Sequence, residues 1–294
     1  MAAKPEGSEV PQYSSDEIGA SEMEKTLTVA GLGCGRRLEI RVPARQNAKL
    51  RQIVAAVNAD LSLYQLWCCA NTTAGVRLGM SDHGPVHVQV VANISLKLFR
   101  MIVAAGAVPS LVRDYGMTTN DAETVVLLGS LLHDIGMAIH RADHEHFSLI
   151  LAGPQLERLL ATSYPEPART AIMAETLHAI IGHRAGGHPL TVEAGVVRVG
   201  DALDMAHGRS RIPFEAGQMN IHSVSAAAIE RVELLTGEAK PVRIAITMSN
   251  SAGIFQIDSL LKDKLDGSGL EPYIEVEATI AGASEKRLIE YVRF

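Results

Sequence analysis

Aromatic side chains are scarce in this chain: Phe, Tyr and Trp make up 4% of its 294 residues, with one Trp. A core built without them relies on Ala, Val, Leu, Ile and Met, a mixture suited to packed helices. Cysteine is nearly absent as well. Cys34, Cys68 and Cys69 form no CxxC pair and no even framework, which argues against a disulfide scaffold and against a thiolate metal site. A reducing compartment is therefore expected, with Cys68 and Cys69 as packing residues beside Trp67. A basic excess is lacking too. The 27 Lys and Arg are outnumbered by 33 Asp and Glu, and the net charge of −6 speaks against a general nucleic-acid binder. A single-nucleotide substrate is not excluded, because a bound metal supplies positive charge locally. No uninterrupted apolar run reaches about 18 residues, so no membrane span is expected. Residues 1–25 lack the basic start and apolar segment of a signal peptide and read as a mobile polar tail. The expected setting is cytoplasmic.

The chain does have 47% apolar and 20% charged residues, the balance of a soluble globular protein long enough for one large domain and a smaller one. Residues 26–45 contain two strand-like runs, TLTVAG and RLEIRV, joined by Leu32-Gly33-Cys34-Gly35-Arg36. Gly31, Gly33 and Gly35 do not match GxGxxG spacing and precede a strand rather than a helix, so a β-hairpin is expected. From 46 to 213 the pattern is helical, with helices expected near 47–69, 84–105, 121–138, 144–162, 168–183 and 191–206. Asn120 with Glu123 resembles a capping box, and Asp143 and Thr191 stand where helix N-caps belong. Gly153-Pro154 should bend or divide its helix. From 214 to 294 the order changes: SAAAIE as a short helix, RVELL and VRIAITM as strands, IFQIDSLLKDKL as an amphipathic helix, then IEVEATI and RLIEYVRF as strands. That order predicts a smaller α+β domain, suited to dimer contacts or ligand sensing.

The run Leu131-Leu132-His133-Asp134-Ile135-Gly136-Met137 sets two metal-ligand types side by side at the end of an apolar helix. A buried charge needs a partner, and a metal ion is an adequate one. Other helical segments offer further candidates. His87 shares a helical face with Val91, Ile94 and Leu98; His146 lies early in the next helix; His178 and His183 lie in ETLHAIIGHRAGGHP; Asp201 lies in VVRVGDALDMA. His83, one turn before His87, reads as a capping or surface residue. His140, His144, His188, His207 and His222 read as solvated or loop histidines. Asp204, three positions after Asp201, reads as an ion-pair partner or a group behind the ligands.

The ordered set His87, His133-Asp134 and Asp201, with HDIG at 133–136 and EAGVVRVGDALDMA at 193–206, resembles the HD-domain superfamily of metal-dependent phosphohydrolases. The resemblance covers about residues 80 to 210. It implies a mainly α, HD-type helical bundle. It also implies His87 and His133 as histidine ligands, Asp134 as a carboxylate bridging two metals, and Asp201 as the last ligand. His146 and His183 are then candidates for a second ion. His178 competes with His183, because five residues of helix turn the two onto different faces.

Imidazole and carboxylate together suit one or two ions of Mn, Fe, Co, Ni or Zn rather than an oxygen-only cage. Water on such an ion loses a proton near neutral pH and becomes a hydroxide nucleophile, and paired ions steady a phosphate under in-line attack. Arg184, Arg198, Arg209 and Arg211 surround these residues in sequence, and Arg184, beside His183, is the first choice to grip a phosphate. The expected function is metal-dependent hydrolysis of a small phosphate ester, a nucleotide among the candidates, with Asp134 and Arg184 as catalytic residues. Two alternatives stay open: a diiron oxygenase of the HD fold, and a regulatory module that binds a nucleotide or metabolite without turnover. A homodimer through the C-terminal part is a further expectation.

Overall fold

Caps and helical phase largely fix the architecture between residues 48 and 202 in the computed structural model, which describes residues 37–44, 46–205, 225–281 and 292–293. The first expected helix divides in two, α1 (Ala48–Ala59) and α2 (Leu61–Asn71). Asp60 between them is extended, and its carboxylate accepts from the Leu63 amide, so it begins a new helix rather than continuing the old one. A π-wound turn, Thr72–Arg77, follows α2. Helix α3 (Pro85–Ala104) starts on a proline, whose missing N–H costs nothing in a first turn. It is the described helix long and apolar enough to cross a membrane, but half of it is buried within the protein.

After the short α4 (Ser110–Tyr115) comes α5 (Thr119–Leu132). Its capping box is Thr118 with Asp121, two residues before the expected Asn120 and Glu123. Glu123 instead accepts hydrogen bonds from Asn47 and Arg100. Every residue from Asp121 to Leu132 is buried, and α5 packs against α3 and two later helices, α7 (Ala168–Gly182) and α8 (Val192–Ala202). A helix apolar on every face can only be an axis of this kind. Each fully buried Leu along it contributes about 1.5–3 kcal/mol, and Trp67 donates its indole N–H to the Leu131 carbonyl at the axis end. A 3-10 turn, Ile135–Ala138, leads to α6 (His144–Leu160), which runs through Pro154 without dividing there. Thr191 caps α8 as expected, while Asp143 precedes α6 in a left-handed conformation with no side-chain cap.

RLEIRV, expected as a hairpin strand, is an extended segment with no sheet partner among the described residues. Side chains hold it instead: Asn58 bonds both the N–H and the carbonyl of Ile40, Tyr64 accepts from Leu38, and Gln89 accepts from Arg41. Residues 1–25, the glycines at 31, 33 and 35, and His207, Arg209, Arg211 and His222 lie outside the described residues. Cys68 is disulfide-bonded and Cys69 is free, which corrects the expectation that the cysteines do not pair.

The C-terminal part forms a small sheet in the order β1 (Ile229–Thr236), β2 (Val242–Met248), β3 (Ile274–Ile280) and β4 (Val292–Arg293). β1 and β2 are antiparallel, β2 and β3 parallel, and β3 and β4 antiparallel. Parallel neighbours need a crossover. It is α9, residues 254–265, made of Ile254–Gln256, the π-wound Ile257–Lys262 and Asp263–Leu265. SAAAIE is helical only over 225–227 before β1 begins. The helices and the sheet share one compact unit, Leu38–Phe294, and α9 packs against α8.

Candidate metal centre

Five histidines and two aspartates from separate elements meet beside the C-terminal end of α5. His133 and Asp134 leave that end, His87 comes from the first turn of α3, and His83 precedes it. His144 opens α6, His183 ends α7, and Asp201 stands in the last turn of α8. All are buried except Asp201, which is partly exposed.

Two sets of donor atoms share Asp134. In the first, Nε2 of His87 and of His133 lie 3.2 Å apart. Asp134 Oδ2 is 3.4 and 3.3 Å from these two nitrogens, and Asp201 Oδ1 is 3.5 Å from each. Each of the two imidazole nitrogens is thus 3.2–3.5 Å from the other and from both carboxylate oxygens, the spacing of donors that share one metal ion. In the second set, the other oxygen of Asp134, Oδ1, lies 3.1 Å from His144 Nε2 and 3.6 Å from His183 Nε2. The donor types and spacings are those of groups that could hold a metal ion.

The opposite sides of the rings are fixed as metal-binding histidines require. Nδ1 of His83, His133 and His183 is held by the carbonyls of Ser81, Ser130 and Ile180, and Nδ1 of His87 lies 2.6 Å from the Asp204 carboxylate. A proton on Nδ1 satisfies each of these oxygens and turns Nε2 toward the cluster. His144 Nδ1 has oxygens of Arg141 and Glu145 at 3.1 Å and an Arg141 guanidinium nitrogen at 2.8 Å, so a cation and two acceptors compete for it.

Charge follows this geometry. Burial alone would lower the His133 pKa, but Asp134 and Asp201 outweigh it and raise it to about 10. Burial would raise both carboxyls, yet His133 holds Asp134, and Lys264 with His133 holds Asp201, well below the usual range. Burial lowers His183 and keeps it neutral. Without metal, a proton on His133 thus lies between the two carboxylates.

No protein-family model matches the chain. It is similar to the uncharacterized protein MJ1020 of Methanocaldococcus jannaschii, 42% identical over 223 residues that span 76% of this chain and 85% of that protein. The chain belongs to the MJ1020 family.

In this member of the MJ1020 family the structure brings together His87, His133, Asp134, His183 and Asp201 from among the residues singled out in the sequence. Two others lie elsewhere. His146 is exposed, and its place is taken by His144, expected as a solvated or loop histidine. The buried stripe of α6 runs through His144, Ser148, Ala152 and Gln155, and His146 is out of phase with it. His178 accepts a hydrogen bond from the Leu190 amide, whereas His183 is in phase with buried Ile172, Thr176 and Ala179. Asp204 stands behind His87, as expected, and His83 is buried with Nε2 4.0 Å from Asp134 Oδ2.

A cavity of 280 Å³ opens on this cluster; Arg141 and Lys264 are the arginine and lysine among its lining residues. Arg184 is exposed and outside that lining, and Arg198 is buried, its guanidinium spent on main-chain carbonyls. Sequence reasoning missed Lys264 and Arg141. The signal for Lys264 was its phase: it shares a helical stripe with buried Ile257, Leu261 and Leu265.

Proposed function

We propose that this chain is an HD-type metal-dependent hydrolase of phosphate esters, with nucleotides the first substrate class to test. The observation that supports this reading most is the division of Asp134: Oδ2 faces His87 and His133, while Oδ1 faces His144 and His183. With its oxygens so divided, one carboxylate would serve two ions, an arrangement suited to in-line attack on a phosphate. Bound there, divalent ions of Mn, Fe, Co, Ni or Zn would acidify water and neutralise phosphate charge.

The chain's own residues do the rest. Asp134 and Asp201 supply the anionic donors, and the tethered histidines turn their Nε2 atoms inward. The buried walls keep bulk water from screening these charges. Arg141, exposed at the cavity, would meet a substrate phosphate there, the role expected of Arg184.

The test starts from full-length protein purified without added metal. Elemental analysis should find two transition-metal ions per chain, and phosphate release should be detectable with a panel of nucleoside monophosphates, cyclic nucleotides and aryl phosphates. Asp134→Asn should lose both metal and turnover. Iron with substrate-dependent oxygen uptake and no phosphate release would transfer the site to oxygenase chemistry. A folded Asp134→Asn protein with full metal content and activity would overturn the assignment of Asp134.

A further inference from the structure

The C-terminal end of α7 carries three successive carbonyls, Gly182, His183 and Arg184, where a helix leaves its last carbonyls without intrahelical donors. Two buried cations take all three. Arg198, from α8, donates to Gly182 and Arg184. Lys264, from α9, donates to His183. The cations also secure each other's segments: the Arg198 guanidinium bonds the main-chain carbonyls of Asp263 and Lys264, and the Lys264 ammonium lies 3.2 Å from Asp201 Oδ2. One ammonium thus touches the main chain of a residue in the second donor set and the side chain of a residue in the first.

An ammonium 9% exposed beside a candidate cation site carries desolvation and like-charge costs that a neutral residue would avoid. Its hydrogen bonds show what it does there. Asp201 has two oxygens, and Oδ1 is the one 3.5 Å from Nε2 of His87 and of His133. With Lys264 on Oδ2, the carboxylate cannot rotate to offer both oxygens to one ion. The His183 carbonyl, held by the same amine, fixes the turn from which the His183 ring projects.

We propose that Lys264 is a positioning residue of the centre, supplied by the strand-bearing C-terminal part, which fixes Asp201 as a one-oxygen ligand and ties it to the His183 turn. This rests on the metal reading above. The C-terminal part is then a working piece of the site as well as a candidate for dimer contacts.

The experiment titrates the metal-free full chain with Mn(II) or Zn(II) alone, following stoichiometry and dissociation constant by calorimetry. Native protein is compared with Lys264→Met, with Lys264→Gln, which keeps one donor in a smaller side chain, and with Lys264→Arg, which keeps the charge. Each variant is first checked for a cooperative melt. Removal of a group that orients ligands should weaken binding about 10–100-fold, and Lys264→Arg should recover most of that loss. A merely repulsive neighbour predicts the opposite sign, tighter binding once the charge is gone. Native or tighter affinity in a folded Met or Gln variant overturns the role of Lys264 while leaving the metal centre intact. If neither variant melts cooperatively, a folded Lys264→Arg decides: near-native affinity supports the role, and a 10-fold loss opposes it. Failure of the native chain itself to bind either ion overturns the metal reading and, with it, this one.

Discussion

Gly136, the glycine of HDIG, offers the sharpest test of how the second donor set is held. A Cβ built there would lie 2.0 Å from the His144 carbonyl oxygen, 2.4 Å from the Ser148 nitrogen and 2.9 Å from the Phe147 carbonyl carbon. All three obstacles are main-chain atoms of α6, so no rotamer change relieves them. Reaching an ordinary contact of 3.4 Å requires the 3-10 turn and the start of α6 to separate by 1.4 Å along the worst vector. His144 opens that helix, with Nε2 only 3.1 Å from Asp134 Oδ1. A shift of this size removes it from the second donor set. It also strains the link through Ser148, whose hydroxyl accepts from the Gly136 amide at 2.8 Å and donates to the His133 carbonyl at 2.6 Å. Gly136→Ala should therefore cost about 1–3 kcal/mol or more through overpacking. It should also take metal content from two ions per chain toward one, because no ligand of the first donor set is carried on α6. Urea denaturation of the metal-free protein and elemental analysis of loaded protein read the two effects separately. A Gly136→Ala protein with native stability and two tightly held ions would refute the reasoning, since it would mean that His144 is not positioned by this contact.

Two further outcomes follow from the site. His144→Ala should lose the second ion and at least about 100-fold in turnover, whereas His146→Ala should match native protein in metal content and melting temperature; equal effects of the two would show that α6 is placed in the wrong phase. For pH, His133 is raised from 6.5 to about 10, so its contribution to metal-free stability is complete below pH 6.5 and is lost as pH rises through 10. Asp134 and Asp201 are depressed, so theirs is present above about pH 4 and is lost as pH falls further. Metal-free protein should accordingly melt highest between those limits, and metal uptake at pH 8 should release about one proton from His133. Calorimetry in two buffers of different ionisation heat measures that release, and identical heats would contradict a protonated His133.

Much of the fold was legible because helix periodicity and caps are local properties. VRIAITM and IEVEATI are strands over their full expected lengths, and the helix between them spans 254–265 as read from the sequence. Errors arose where local pattern competes with partners distant in the chain. Asp60 restarts a helix that apolar periodicity would have continued. RLEIRV alternates like a strand, yet the side chains of Asn58, Tyr64 and Gln89 satisfy backbone groups a sheet would have bonded. Phe147, Leu149, Ile150 and Leu151 blur the apolar phase that would separate His144 from His146, and Ile150 is exposed.

By itself, the sequence determined that a histidine-aspartate pair ends an apolar helix and that His87 shares a helical face with Val91, Ile94 and Leu98. Buried titratable groups need compensation, and helical phase is written into residue spacing. Only the tertiary structure decided which oxygen of Asp134 faces which histidines, that His144 completes the second set, and that Lys264 reaches the site from the far end of the chain. Those depend on helix crossings and on main-chain carbonyls at the α7 terminus, and no local pattern encodes the distance between segments some 80 residues apart.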